Sequence, residues 1–160
     1  MPVGGGRRRV RWRLPAALGL LVVVGILASG WPGRPEAEGA GRWQADNLNL
    51  LAQVVCGEAR GEPYEGKVAV AAVILNRVDD RRFPNTVAGV VYQPLAFESV
   101  ANGEIYRGTT QECFRAARDA LNGWDPSYGA VFFFAPDKTK NKYIWSRPQV
   151  RQIGKHIFAR

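Results

Sequence analysis

Apolar residues recur at helical spacing through the first half of the chain beyond residue 47. Leu48, Leu51, Ala52 and Val55 stand at i, i+3, i+4 and i+7, which predicts an amphipathic helix with Asp46 as N-cap and its end at Gly61. Pro63 suits the opening turn of a second helix. Along that helix Val68, Ala69, Ala72, Val73 and Asn76 share one face, and Val70, Ile74 and Leu75 widen the apolar band. A helix apolar nearly all round belongs at the centre of a domain. Asn76 on this face reads as a hydrogen-bonded core amide rather than a ligand. The pattern breaks before Phe83-Pro84-Asn85, and Thr86 to Tyr92 predicts a short helix ended by Gln93-Pro94.

Thr109 with Glu112 fits a capping box opening a helix that runs to Leu121 and closes at Asn122-Gly123. Phe114, Ala117, Ala120 and Leu121 form its inner stripe. The period then changes. Val131-Phe132-Phe133-Phe134 predicts a strand, Tyr143-Ile144-Trp145 a partner across a Lys-rich turn, and Gln152 to Phe158 a third strand. Helices first and a small sheet last predict an α+β domain over residues 43–160, large enough for one modest core.

The N-terminal 30 residues follow a different logic. Arg7, Arg8, Arg9, Arg11 and Arg13 form a basic region, and Leu14 to Ala28 is an uncharged apolar run closed by Ala28-Ser29-Gly30. A run of this length is short of the ~20 residues a spanning helix needs. Residues 1–30 are therefore read as a signal peptide or signal anchor, with a cleaved signal favoured and membrane contact through residues 14–28 if it is retained. Residues 31–42, rich in Gly, Pro, Ala and Glu, read as a linker. Either way the domain is expected outside the cytoplasmic membrane. The net charge is +8, yet from Trp43 onward 15 Lys and Arg face 12 Asp and Glu, a balance of only +3. That argues against nucleic acid as a partner and suits an anionic wall or membrane surface. Cys56 and Cys113 are the only cysteines. Their spacing announces no framework, and Cys56 is read as a small core residue in preference to a disulfide partner. His156 is the single histidine, so no cofactor or zinc cluster with paired His ligands is expected. Among Ile153, Ile157 and Phe158 it reads as a packed residue.

Candidate chemistry gathers in Cys56-Gly57-Glu58-Ala59-Arg60-Gly61-Glu62-Pro63, between the two apolar helices. Glu58 lies at a helix C-terminus beside Val54 and Val55, where the helix dipole and the apolar neighbours both disfavour a carboxylate. A carboxyl kept protonated is what a general acid for glycosidic cleavage requires. By itself the motif reads as a solvated helix end. Glu62 either orients Glu58 or caps the helix that starts at Pro63. Aromatic and amide side chains that can line a sugar groove are Tyr64, Gln93, Phe97, Asn102, Tyr128 and Trp145, with packing or turn roles as the competing explanation for Trp145 and Gln93.

Seven segments, in order and at compatible spacing, resemble bacterial spore cortex-lytic enzymes and the related cell-wall hydrolases. They are Gly57 to Tyr64, Val68 to Val78, Phe83 to Thr86, Gly89 to Pro94, Asp119 to Pro126, Ile144 to Val150 and Ile153 to Phe158. The resemblance implies a lysozyme-like, lytic-transglycosylase-like domain, mostly helical with a small C-terminal antiparallel sheet. It implies action on peptidoglycan glycan strands of spore cortex or wall, at the β-1,4 bond between N-acetylmuramic acid and N-acetylglucosamine, during germination. Glu58 occupies the position of the family's essential glutamate. Such proteins frequently carry a separate peptidoglycan-binding domain, which is not expected within this sequence. The three phenylalanines of Val131 to Ala135 replace tyrosines frequent in the family, and Glu98 stands where Thr or Ser is expected and reads as solvent-facing. The competing readings are a hydrolytic muramidase and a non-catalytic cortex-binding germination protein; a regulatory partner protein in the spore is left open.

Overall fold

The computed structural model describes residues 35–160, with side chains from residue 41. The basic region and the apolar run of residues 14–28 lie outside the described residues, and no described helix is long and apolar enough to cross a membrane. Helix α1 (Pro35–Ala59) begins well before Asp46, which therefore sits inside it rather than at its cap. Residues 35–42, expected as linker, are its opening turns. Pro35 is favourable in a first turn.

Helix α2 (Tyr64–Asp79) is the central rod: Val68, Ala69, Val70, Ala71, Val73 and Ile74 are all fully buried. It packs against α1 and against α5 (Gln111–Leu121), while α3 (Val87–Val91) and α4 (Glu98–Ala101) flank the pair. The cap of α5 is Thr110, not Thr109. Its hydroxyl accepts from the Cys113 N–H at 3.2 Å, and Glu112 turns away to pair with Lys67 at 3.3 Å. The α5 stripe is also rotated from expectation: Cys113, Ala116, Ala117 and Ala120 are buried, whereas Leu121 is partly exposed.

Three strands follow, β1 (Phe132–Phe134), β2 (Gln149–Ile153) and β3 (His156–Ala159), antiparallel in the order β1-β3-β2. Tyr143-Ile144-Trp145 is not a strand but part of the one-turn helix α6 (Lys142–Trp145). The Asn141 side chain accepts from the Tyr143 N–H at 2.9 Å and so nucleates that turn. The third strand expected over 152–158 is a hairpin, reversed at Gly154 with φ +56°. A side chain at 154 would also collide with the Glu62 carboxyl, so only glycine fits this turn.

Cys56 and Cys113 form a disulfide, against the sequence expectation, with Cα atoms 5.7 Å apart. Packing of α1 on α5 brings together two residues separated by 57 positions. The bridge fixes the last turn of α1, two residues before Glu58.

Candidate active site

Glu58 lies in the final turn of α1 and opens into a cleft of about 720 Å³. Its Oε1 accepts a hydrogen bond from the Ser99 N–H, at the start of α4, at 2.8 Å. Among the described residues nothing donates to Oε2, which is left for the cleft. The approach depends on Gly57, because a Cβ there would overlap the Ser99 side chain. The same cleft is lined by Gln93, Phe97 and Asn102, three of the residues expected to bind sugar. Leu95 stands at its rim, 94% exposed and in the left-handed region at φ 61°.

The opposite wall is the sheet. Phe132, Phe133 and Phe134 line it, joined by Lys138 and Thr139 from the following loop and Ile144 from α6. His156 of β3 also lines it, 8% exposed, packed edge-on against Phe133 with ring centroids 5.2 Å apart. Burial lowers its pKa below the usual histidine range, although Glu62 and Glu58 pull it upward. The imidazole is therefore neutral near pH 7. Glu98 is exposed, as expected, at the edge of this groove.

Other candidates fall elsewhere. Glu62 does not line the cleft. Its Oε2 accepts from the Lys155 N–H at 2.8 Å and its backbone carbonyl accepts from Lys67 Nζ at 2.6 Å, which ties the α1–α2 turn to the hairpin carrying His156. Tyr64 donates its hydroxyl proton to Asp119 Oδ2 at 2.6 Å and packs near Trp124, away from the cleft. Tyr128 occupies a left-handed turn, and its carbonyl accepts from Arg160. Trp145 packs on Phe134 at 5.0 Å between centroids, and its indole N–H donates to the Thr139 carbonyl at 3.1 Å, so it supports the Phe134 wall from behind. Asn76 is the satisfied core amide expected: its Nδ2 donates to Asp125 Oδ2 and to the Ala130 carbonyl, each at 3.0 Å.

Three cleft residues escaped sequence reasoning. Ser99 acts through its backbone N–H, which no residue pattern reveals. Arg77 lies on the apolar central helix and reaches the cleft floor. Lys138 sits in what reads as an ordinary polar turn. Among the described residues no group of three His, Cys, Asp or Glu side chains is placed to hold a metal ion.

The chain's relatives agree with this architecture. The family model described as Cell Wall Hydrolase matches residues 61–159, beginning three residues after Glu58. The spore cortex-lytic enzyme of Bacillus subtilis (strain 168) is 55% identical over 119 residues, covering 74% of this chain and 39% of that protein. Cell wall hydrolase CwlJ of the same organism is 29% identical over 119 residues, covering 70% of this chain and 83% of that one. The chain spans less than half the length of the curated spore cortex-lytic enzymes it matches. Among solved structures, the catalytic domain of the Bacillus cereus SleB protein superposes with a TM-score of 0.69 at 52% identity, covering 72% of this chain and 91% of that chain. The catalytic domain of the germination-specific lytic transglycosylase SleB from Bacillus anthracis gives the same TM-score and identity. The α+β, lysozyme-like class expected from the sequence is thus the fold of a solved relative, and the chain belongs to the cell wall hydrolase family.

Proposed function

We propose that this domain cleaves the β-1,4 bond between N-acetylmuramic acid and N-acetylglucosamine in peptidoglycan, as a lytic transglycosylase acting on spore cortex during germination. The observation that carries the reading is Glu58, the cleft carboxyl held by the Ser99 N–H, whose Oε2 has no donor among the described residues. Glu98 and Glu104 also line the groove, but both are on the α4 side and exposed or half-exposed at its margin.

In this mechanism the Glu58 Oε2 proton passes to the glycosidic oxygen as the C1–O bond breaks through an oxocarbenium-like transition state. The Ser99 N–H keeps the carboxyl oriented and stabilises the carboxylate left behind. That carboxylate then takes the proton of the C6 hydroxyl of the same muramic residue. The hydroxyl oxygen bonds to C1 and closes a 1,6-anhydro ring, and Glu58 is protonated again. One carboxyl serves both steps, so no nucleophile on the sheet wall is required. The phenylalanine wall suits this chemistry: an apolar surface opposite Glu58 holds a sugar face and keeps bulk water, the competing nucleophile, away from C1.

Export is part of the same proposal. A disulfide in a small domain persists in oxidising compartments, and the names of the relatives place their substrates outside the membrane. The test is loss of turbidity of purified cortex. Glu58→Gln is expected to keep the fold and slow clearing by at least about a hundredfold, the usual worth of a general acid. Clearing at near the parent rate would refute the assignment.

A further inference from the structure

Arg77 is the cation that the proposed chemistry does not use. It sits in the last turn of the central helix α2, 8% exposed. Its guanidinium is boxed by the rings of Phe83 and Phe97, each 5.2 Å from ring centroid to Cζ, and of Phe132 at 5.8 Å. Nε donates to the Val131 carbonyl at 2.7 Å. Nη1 and Nη2 donate to no described residue, neither is a fully buried nitrogen, and Arg77 lines the cleft.

Among the described residues no carboxylate lies within ion-pair distance of this guanidinium. Burial alone brings its pKa down to about 10, with no anion opposing the fall. It remains charged at pH 7, and a buried charge without a counter-charge is costly. The domain's other buried cation is treated differently. Lys67, 5% exposed, has both the Glu62 carbonyl and the Glu112 carboxylate. Three aromatic faces offset part of the desolvation of Arg77, but they leave the donor fork of the guanidinium unfilled. A planar fork with two free N–H edges matches a carboxylate in two parallel hydrogen bonds.

We propose that Arg77 forms a carboxylate-binding subsite in the floor of the cleft, taking a carboxylate carried on the muramic side of the substrate. The proposal rests on the reading of the cleft as a glycan groove and adds to it a rule of selection. The aromatic box fixes where the charge sits, so the subsite fixes how the muramic ring is presented to Glu58. Two groups share the required chemistry, the lactyl carboxylate of an unsubstituted muramic residue and the free carboxylates of its stem peptide. Lys138, which lines the same cleft, adds a second positive charge from the sheet side.

The experiment measures binding of soluble glycan fragments by calorimetry in the Glu58→Gln background, so that nothing is consumed. Each fragment is supplied in two forms, with the carboxylate free and with it converted to the neutral methylamide. One pair carries only the lactyl group and the other carries a stem peptide. With Arg77 present, one pair is expected to show the carboxylate form bound at least about tenfold more tightly, as a charge-assisted bidentate pair implies. The pair that shows it identifies the source. Arg77→Met should erase that preference and leave the neutral form bound within about twofold, by the same reckoning. If the methionine variant does not fold, Arg77→Lys takes its place, and the preference must drop because a point charge replaces the fork. Equal binding of charged and neutral forms with Arg77 present overturns the subsite, as does a preference unchanged by either substitution. Failure of every fragment to bind, neutral ones included, overturns the subsite together with the glycan reading, whereas neutral binding without preference overturns the subsite alone.

Discussion

Breaking the Cys56–Cys113 bridge should cost more stability than any single side-chain contact in the domain. The bridge closes a loop across 57 positions and joins the last turn of α1 to the first turn of α5. The chain-entropy relation for a loop of that length gives about 4 kcal/mol at 25 °C. That is a large part of the ~5–15 kcal/mol by which a domain of this size is stable, and corresponds to a fall in Tm of about 10–20 °C. The comparison is between oxidised and reduced parent protein by chemical denaturation. Reduction leaves both sulfurs in their buried positions, so the difference isolates the cross-link. A Cys56→Ala/Cys113→Ala variant should lose somewhat more, because two buried sulfurs, 2% and 1% exposed, leave small cavities. Activity should fall with reduction even where the domain stays folded, since the bridge sits two residues before Glu58. A difference of less than about 1 kcal/mol between oxidised and reduced protein would refute the loop-closure reasoning.

Two further outcomes follow from the geometry of the cleft. Gly57→Ala places a methyl group against Ser99, which should push α4 away, weaken the Ser99 N–H to Glu58 bond, cost about 1–3 kcal/mol and lower kcat; unchanged cortex clearing would show that the close approach is unnecessary. His156, the only imidazole of the chain, should titrate by NMR below the usual histidine value. Because the unfolded chain takes up that proton first, stability is complete above pH ~6.5 and declines as pH falls toward the folded value. His156→Phe should flatten that stretch of the stability profile, and an imidazole titrating above 6.5 would contradict its burial.

The central helix and its place in the core were legible because α2 is apolar on nearly every face, a pattern with one physical solution. The place of Glu58 near a helix end was legible because the helix period stops just where a turn motif begins. The small sheet was only half legible. Tyr143-Ile144-Trp145 has strand composition, but three residues carry no period, and the Asn141 side chain turned them into a helix instead. Adjacent threonines made the α5 cap ambiguous by one position; Thr110 wins because its hydroxyl meets the Cys113 N–H, and Glu112 is drawn to Lys67. Neither the disulfide nor the cleft walls have a local signature. Both arise from the meeting of distant segments, α1 packed on α5 and α4 facing the sheet across the cleft, so composition suggested aromatic sugar binders without saying that Tyr64 and Tyr128 lie elsewhere. Arg77 was hidden for the same reason: on a buried helix a single arginine declares its neighbours only once the three phenylalanines are in place.

The proposed role of Glu58 as both acid and base is tested most directly by the mass of the glycan ends released from purified cortex. The account predicts muramic ends one water lighter than the hydrolytic product from the parent protein, and no such ends from Glu58→Gln. Reducing ends of full hydrated mass would contradict closure of the anhydro ring, and anhydro ends from the Glu58→Gln variant would contradict the assignment of the carboxyl itself.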